Sequence, residues 1–246
     1  MEMKSIPVFN FSDLRFTGLS RKSEIQPMRA LKDLVIEAFS PEILKKIFET
    51  DQKLLIEKLR LLEQFSQSEP AFVSQLSNAV AELPIYLGNS LPIRYWDQFS
   101  NHQSKNVYAN RGANGIDGQI STYLGWSEEF EKSFCLVGDL TALYDLSSLG
   151  LTTQLKDQFR RIVVMNNFGG QIFKRVFNSE LFINSHKTQF KSWSEMWGWD
   201  YLLITHQDQL KKINAQNSKN LIIEIQPDLQ QTTLFWSQWD QVCQKV

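Results

Sequence analysis

Two motifs carry the side chains of this sequence that are best suited to bind a metal ion. Gly138 and Asp139 end one short apolar run, and Asn166 and Asn167 end another, shortly before a Gly-Gly pair. A carboxylate, an amide oxygen and a nearby backbone carbonyl are hard oxygen ligands, which Mg²⁺ prefers and often shares with a phosphate group. The helix expected after Asp139 directs backbone N–H groups and the positive end of its dipole at such a phosphate. The pair predicts a metal–phosphate site, although a helix cap and a loop asparagine are the simpler structural interpretation.

Six short apolar runs have to position these motifs, and each is predicted to be a buried strand. They alternate with segments of helical periodicity, which is typical of a parallel sheet covered by helices on both faces. The sequence therefore predicts an α/β fold: a doubly wound, mostly parallel sheet of about six strands, preceded by a helical N-terminal segment. Ligands of such folds bind beyond the carboxyl ends of the strands, where both motifs fall. The predicted strands cover residues 84–87, 106–109, 134–137, 162–165, 201–204 and 221–225.

The first part of the chain has a different pattern. Leu and Ile recur at three- and four-residue steps between residues 28 and 67, which predicts helix. Residues 1–25 show little helical period and are expected to be extended. A Ser-Glu-Pro sequence at residues 68–70 interrupts the helical pattern. We therefore expect an extended and helical segment over residues 1–68 and the sheet domain over residues 69–246.

Charge and composition exclude several classes of protein. The 246 residues carry 26 basic and 27 acidic side chains, and the net charge of −1 argues against a general nucleic-acid or membrane-surface binder. No run of about 18 apolar residues is present, so no membrane span is expected. The first residues lack the pattern of a secretory signal. Cys135 and Cys243 are widely separated, which favours reduced thiols and a cytoplasmic location.

Four motifs occur in an order that is typical of one enzyme family. They are GNSLPIR at Gly88–Arg94, NRGANGIDG at Asn110–Gly118, VGDLTALYDL at Val137–Leu146 and NNFGGQIF at Asn166–Phe173. Together they resemble the MenD family, the thiamine-diphosphate-dependent 2-succinyl-5-enolpyruvyl-6-hydroxy-3-cyclohexene-1-carboxylate synthases of menaquinone biosynthesis. The resemblance covers the chain from residue 69 to its C-terminal end. Residues 1–68 resemble the end of the family's middle domain only loosely.

The resemblance implies that thiamine diphosphate and Mg²⁺, or Mn²⁺, bind at these motifs as cofactors. It assigns the metal to the Asp139 carboxylate, the Asn167 side chain and the carbonyl oxygen of Gly169. Ile116 is implied as the prop that holds the cofactor in its bent form, and Ile172 as part of the wall of the cofactor and substrate pocket. The residues implied around the diphosphate are Gly138, Leu140, Thr141, Gly170 and Gln171.

Three polar residues are implied at the substrate carboxylates, namely Ser90, Arg94 and Arg111. Both substrates of the family, 2-oxoglutarate and isochorismate, are dicarboxylates, and arginine binds carboxylates through paired hydrogen bonds. Each residue also has an ordinary interpretation: a helix cap for Ser90, packing near a helix end for Arg94 and a surface ion pair for Arg111. Asp117 falls in a predicted first helical turn and is expected to be structural. His186 could reach the site, but an exposed loop histidine is the favoured interpretation.

The reaction implied by the resemblance is the decarboxylation of 2-oxoglutarate and the addition of the resulting succinyl carbanion to isochorismate. In the family, a glutamate of an N-terminal pyrimidine-binding domain activates the cofactor. No residue of this sequence matches that glutamate, so no catalytic residue is assigned. We expect a diphosphate-binding portion that is inactive alone and needs a pyrimidine-binding domain on another chain or a homo-oligomer, with a dimer expected. A split-enzyme subunit, a fragment of a full enzyme and a non-catalytic ligand-binding or partner-docking homologue are all compatible with the sequence.

Overall fold

The computed structural model of the chain describes residues 9–11, 24–26, 40–101, 106–110, 115–175, 177 and 179–245. The chain divides into two compact units, Met1–Asp51 and Gln52–Val246. In the first unit, β1 (Phe9–Phe11) and β2 (Glu24–Gln26) pair in parallel. Helix α1 (Pro41–Gln64) begins in the first unit and ends in the second.

The second unit is built on one sheet whose six strands all run parallel. These strands are β3 (Ile85–Leu87), β4 (Val107–Tyr108), β5 (Lys132–Gly138), β6 (Phe159–Met165), β7 (Asp200–Ile204) and β8 (Asn220–Ile225). Their order across the sheet is β4-β3-β5-β6-β8-β7. The predicted parallel sheet is confirmed, and each of the six apolar runs forms one of its strands.

Helices cover both faces of this sheet. They are α2 (Glu69–Val80), α3 (Leu91–Phe99), α4 (Gln119–Ser127), α5 (Asp139–Tyr144), α6 (Lys191–Met196) and α7 (Leu229–Gln244). Short 3₁₀ helices occupy Leu146–Gln154, Gln171–Phe173, Glu180–Phe182 and Gln207–Lys212. Among the described residues, none of the helices combines the length and the apolar character needed to cross a membrane.

Alternate residues of each central strand enter two separate apolar cores, because successive side chains of a strand point to opposite faces. Phe134 and Leu136 of β5 pack with α2, α3 and α7, whereas Cys135 and Val137 pack with α4, α5 and α6. Both faces of the strand are therefore buried. This burial explains why the strands appear in the sequence as continuous apolar runs rather than as alternating patterns.

The helical N-terminal segment is confirmed for the described residues. Within the predicted helix over residues 28–67, Pro41–Gln64 form α1 and residues 65–67 form a turn, whereas residues 27–39 lie outside the described part of the chain. Leu61, Leu62 and Phe65 pack in the same core as α2. The second half of α1 therefore packs with the sheet, and the division between compact units falls at Asp51. The domain boundary expected at residue 68 stays a prediction.

The strand order opens a crevice between the carboxyl ends of β3 and β5. From β3 the chain passes to β4 at one edge of the sheet and then returns to β5 on the other side of β3. Helix α3 follows β3 on one face, and α5 follows β5 on the opposite face. The connection after β3 leads to one side of the sheet, and the connection after β5 leads to the other side. Ligands of open α/β sheets bind at such a switch point. The Gly88–Arg94 and Val137–Leu146 motifs begin at these two strand ends.

Candidate functional site

A cavity of about 810 Å³ lies at the carboxyl ends of β3, β5 and β6. Residues from all four motifs line it, although the motifs are far apart in the sequence. Every predicted site residue except Arg111 belongs to this wall, and Arg111 lies outside the described residues. The roles assigned to these residues stay predictions, while their positions are now known. The predicted residues in the wall are Ser90, Arg94, Ile116, Gly138, Asp139, Leu140, Thr141, Asn167, Gly169, Gly170, Gln171 and Ile172.

Asp139 presents a buried carboxylate to this cavity. Its Oδ1 accepts a hydrogen bond from the backbone N–H of Leu140 at 2.7 Å, and its Oδ2 accepts one from the backbone N–H of Gly169 at 2.9 Å. Burial raises the pKa of the Asp139 carboxyl, and these two backbone donors oppose the rise. Gly138 occupies the N-cap position of α5, so Asp139 is not the helix cap of the simpler interpretation. The bond to Gly169 holds the two predicted metal motifs together.

His186 contacts Asp139, contrary to the expectation of an exposed loop histidine. Its side chain is 14% exposed, and its Nε2 lies 3.1 Å from Oδ2 of Asp139. The backbone N–H of Thr188 donates to Nδ1 of the ring at 3.1 Å. This hydrogen-bond pattern assigns the ring proton to Nε2, because Nδ1 acts as an acceptor. His186 is therefore a third donor to the Asp139 carboxylate.

Asn167 contacts a glutamate that the sequence analysis did not assign to the site. Its Nδ2 donates to Oε2 of Glu69 at 3.0 Å. Burial raises the pKa of Glu69 to about 8; the Asn167 hydrogen bond opposes this rise, and the charge of Asp139 adds to it. The Oδ1 atom of Asn167 is buried and has no hydrogen-bond partner among the described residues. Since such an acceptor costs about 1–3 kcal/mol, Oδ1 is the atom of the site that most needs a ligand.

Other wall residues were missed for different reasons. Glu69 lies in the first turn of α2, where a carboxylate is ordinary, so nothing in its local sequence marks it as functional. Asn89 donates from Nδ2 to the carbonyl oxygen of Gly115 at 2.6 Å and so joins two of the loops. Asn89, Tyr144 and Phe173 all stand inside the motifs. Membership of a motif was therefore the signal that could have identified these three.

Glycine occupies two positions of the cavity wall for different physical reasons. The φ angle of Gly169 is +141°, and a Cβ there would lie 2.6 Å from the carbonyl oxygen of Ile183. Gly169 is therefore required by the fold. Gly138 has ordinary extended backbone angles, φ −80° and ψ 164°, and a Cβ there would meet open space. The missing side chain at Gly138 keeps this part of the cavity clear.

Ser90 and Arg94 lie together at the start of α3. Ser90 adopts φ 77°, an uncommon angle for a residue with a side chain, and its hydroxyl makes no capping hydrogen bond. Ser90 occupies the N-cap position of α3, as the ordinary interpretation expects, but its side chain does not cap the helix. Backbone strain of this kind costs about 1–3 kcal/mol and is concentrated at binding sites. Arg94 is exposed, lines the cavity, and donates from Nη1 to the carbonyl oxygen of Ser90 at 2.7 Å.

A third buried carboxylate, that of Glu224, supports the loop that carries Asn167. Glu224 of β8 accepts a hydrogen bond from Nδ2 of Asn166 at 2.7 Å, and Asn166 directly precedes Asn167. It also accepts hydrogen bonds from the backbone N–H of Phe190 at 2.7 Å and from the hydroxyl of Tyr201 at 2.8 Å. This network ties the loop after β6 to the strand beside it.

Replacing Glu224 by leucine is expected to reduce the free energy of unfolding by about 3 kcal/mol or more. The substitution leaves several buried donors without an acceptor, and each costs about 1–3 kcal/mol. Glu224→Gln keeps one acceptor oxygen and serves as the milder control. Chemical denaturation measures both variants. A Glu224→Leu protein as stable as the parent would show that the network contributes nothing to stability.

Curated relatives match nearly the whole chain. A protein of Bdellovibrio bacteriovorus named 2-succinyl-5-enolpyruvyl-6-hydroxy-3-cyclohexene-1-carboxylate synthase is 43% identical over 240 residues, which are 96% of this chain and 45% of the relative. A protein of the same name from Akkermansia muciniphila is 36% identical over 253 residues, with 94% of this chain and 46% of the relative covered. The chain belongs to the MenD family. No family model matches it.

The chain spans about half the length of the MenD relatives that it matches. It corresponds to the C-terminal part of a MenD-type synthase, as the order of the four motifs had indicated. The Asp139 and Asn167 loops and the Gly88–Arg94 motif all contribute residues to the wall of the cavity.

Proposed function

We propose that this chain forms the diphosphate- and metal-binding half of a thiamine-diphosphate site in a MenD-type synthase. The observation that carries the proposal is the buried Oδ1 atom of Asn167, which has no hydrogen-bond partner among the described residues and lines the same cavity as the buried carboxylate of Asp139. Two oxygen ligands held in one wall suit Mg²⁺ or Mn²⁺, and the carbonyl oxygen of Gly169 would complete the protein donor set. The hydrogen bond from Gly169 to Asp139 supports this grouping.

The wall next to these ligands suits a diphosphate group. Gly138 leaves space where any side chain would intrude, and the first turn of α5 begins beside it with Leu140 and Thr141. Gly170 and Gln171 border the same space from the loop after β6. Thiamine diphosphate, when bound, supplies the carbanion stabilisation that decarboxylation of a 2-oxo acid requires. The residues of this chain bind and orient it and neutralise its negative charge through the metal.

The proposed substrates, 2-oxoglutarate and isochorismate, carry carboxylates that need cationic and hydroxyl donors. Arg94 is exposed in the cavity wall, and only one of its N–H groups is used in the bond to Ser90. We assign substrate carboxylates to Ser90, Arg94 and Arg111. Ile116 and Ile172 would provide the apolar surfaces that support the cofactor and exclude water.

The other half of the site is proposed to come from a pyrimidine-binding domain, either on another chain, as in a homodimer, or in the remaining half of a MenD-length protein. Two aromatic residues of the cavity wall support this. Tyr144 is 68% exposed and Phe173 is 44% exposed. Large apolar side chains left open beside a polar site are typical of a surface that a second domain covers. Residues 69–246 remain the proposed extent of the binding domain, and the cytoplasmic location stays a prediction.

A non-catalytic ligand-binding or partner-docking homologue is the alternative. The comparisons do not favour it, because the relatives with 43% and 36% identity both carry the synthase name.

Calorimetric titration with thiamine diphosphate tests the proposal directly. We expect binding that depends on Mg²⁺ or Mn²⁺, because the diphosphate contacts the chain largely through the metal. The matched control is the same titration with a chelator present. No binding at millimolar cofactor and metal, with and without a candidate pyrimidine-binding domain, would contradict the proposed function.

A further inference from the structure

Glu69 lines the cavity with a buried carboxyl group to which the proposed function gives no role. Its side chain is only 2% exposed. A carboxyl group in such a position is costly unless its hydrogen bonds compensate for the lost water. A glutamine or an apolar residue would fill the same volume at lower cost. The contacts of Glu69 therefore indicate what the carboxyl group does there.

Hydrogen bonds to α7 anchor the backbone at the start of α2, where Glu69 lies. The N–H of Glu69 donates to Oγ1 of Thr232 in α7 at 3.0 Å, and the preceding Gln67 donates from its N–H to Oε1 of Gln231 at 3.0 Å. Ser68 caps α2 by accepting from the N–H of Ala71. The Glu69 side chain thus extends toward the cavity from a fixed point. A side chain that must orient another group needs such an anchor.

The Glu69 side chain determines which way the Asn167 amide is turned. An amide presents a donor on one side and an acceptor on the other. Because Nδ2 donates to Oε2 of Glu69 at 3.0 Å, Oδ1 must point away from that carboxyl group. With the Glu69 carboxyl ionised, the reversed amide would place two acceptor oxygens against each other. Oδ1 is consequently left without a partner among the described residues.

We propose that Glu69 is a positioning residue for the metal site, which holds the Asn167 amide so that its Oδ1 stays available as a metal ligand. This inference rests on the proposed function. Without an acceptor at position 69, the amide turns freely, and its NH₂ group can replace the oxygen and repel the cation. Partners that orient metal ligands typically contribute about 10–100-fold to metal affinity.

Two substitutions separate the acceptor from the volume of the side chain. Glu69→Met keeps the size and removes the acceptor, whereas Glu69→Gln keeps an acceptor oxygen that can face Nδ2 of Asn167. Mn²⁺ is titrated into the full chain in the presence of thiamine diphosphate, and free Mn²⁺ is followed by electron paramagnetic resonance. We expect Glu69→Met to weaken Mn²⁺ binding by about 10–100-fold, and Glu69→Gln to restore most of the affinity.

Glu69→Met and Glu69→Gln are then repeated in an Asn167→Asp background. This comparison tests whether the loss of Mn²⁺ affinity comes from the orientation of the Asn167 amide. The two oxygens of an aspartate are equivalent acceptors, so a ligand at position 167 no longer needs to be oriented by Glu69. We expect Glu69→Met to cause no loss of Mn²⁺ affinity in this background. An equal loss in both backgrounds would show a general structural defect and would overturn the inference.

Failure of this inference can be told from failure of the proposed function. If the parent chain does not bind Mn²⁺ at millimolar concentration with thiamine diphosphate present, with and without a candidate pyrimidine-binding domain, both are wrong. If Asp139→Ala abolishes binding and Glu69→Met leaves it unchanged, only the role of Glu69 is wrong. Thermal unfolding of each variant, followed by circular dichroism, confirms that the proteins compared are folded.

Discussion

Replacing Asp139 by alanine is expected to weaken the Mg²⁺-dependent binding of thiamine diphosphate by more than about 100-fold. Loss of a residue that only orients a metal ligand already lowers metal affinity by about 10–100-fold, and loss of the ligand itself should lower it further. Asp139 would supply the only charged ligand of the proposed donor set, which otherwise consists of the Asn167 amide and a backbone carbonyl. Its carboxylate is buried in the cavity wall, where the attraction of a cation is weakly screened. Calorimetric titrations with and without Mg²⁺ measure the effect.

The Asp139→Ala substitution also removes the acceptor of several hydrogen bonds, so two further variants are needed for comparison. The backbone N–H groups of Leu140 and Gly169 lose their partner, at about 1–3 kcal/mol each. Asp139→Asn keeps one acceptor oxygen and tests the charge with less damage to the loop. Asp117→Asn is the matched control, because Asp117 also lines the cavity and lies outside the proposed donor set. Metal-dependent binding that survives in both Asp139 variants would reject the ligand assignment.

Replacing Gly169 by alanine is expected to reduce the free energy of unfolding by about 2–4 kcal/mol, as the sum of backbone strain and overpacking. The φ angle of +141° is unfavourable for alanine, and the new Cβ would lie 2.6 Å from the carbonyl oxygen of Ile183. The loop must then move, which also disturbs the hydrogen bond from Gly169 to Asp139. For a chain of this size the melting temperature should fall by roughly 5–15 °C. Thermal unfolding measures this change.

Gly138→Ala is the matched control for this prediction. Its backbone angles are ordinary and the added methyl group meets open space, so stability should change by less than about 0.5 kcal/mol. The methyl group nevertheless enters the cavity, so binding of thiamine diphosphate should weaken. The two glycines are thus expected to separate a requirement of the fold from a requirement of the ligand. Equal melting temperatures for the two variants would contradict the strained geometry at Gly169.

The sequence was sufficient to predict the sheet and the places where its strands end. The runs around Cys135 and Val163 are continuously apolar because both faces of these strands are buried, and this pattern is local enough to recognise. Asp139 and Asn167 could then be placed at neighbouring strand ends, since the carboxyl ends of parallel strands meet at one edge. The hydrogen bond that links the Asp139 and Gly169 loops agrees with that placement.

The tertiary structure decided which groups surround these two side chains. Glu69 meets Asn167 across 98 positions of the chain, and His186 meets Asp139 across 47. No local pattern marks either contact, because an acidic first helical turn and a loop histidine are ordinary features of many proteins. Ser90 likewise occupies an N-cap position that the sequence could predict, but only the structure shows its positive φ angle and its uncapped hydroxyl. Periodicity and motif order are properties of neighbouring residues and can be seen in the sequence. The direction of a buried amide, the proton position on a ring and the φ angle of a serine depend on groups that only the folded chain brings together.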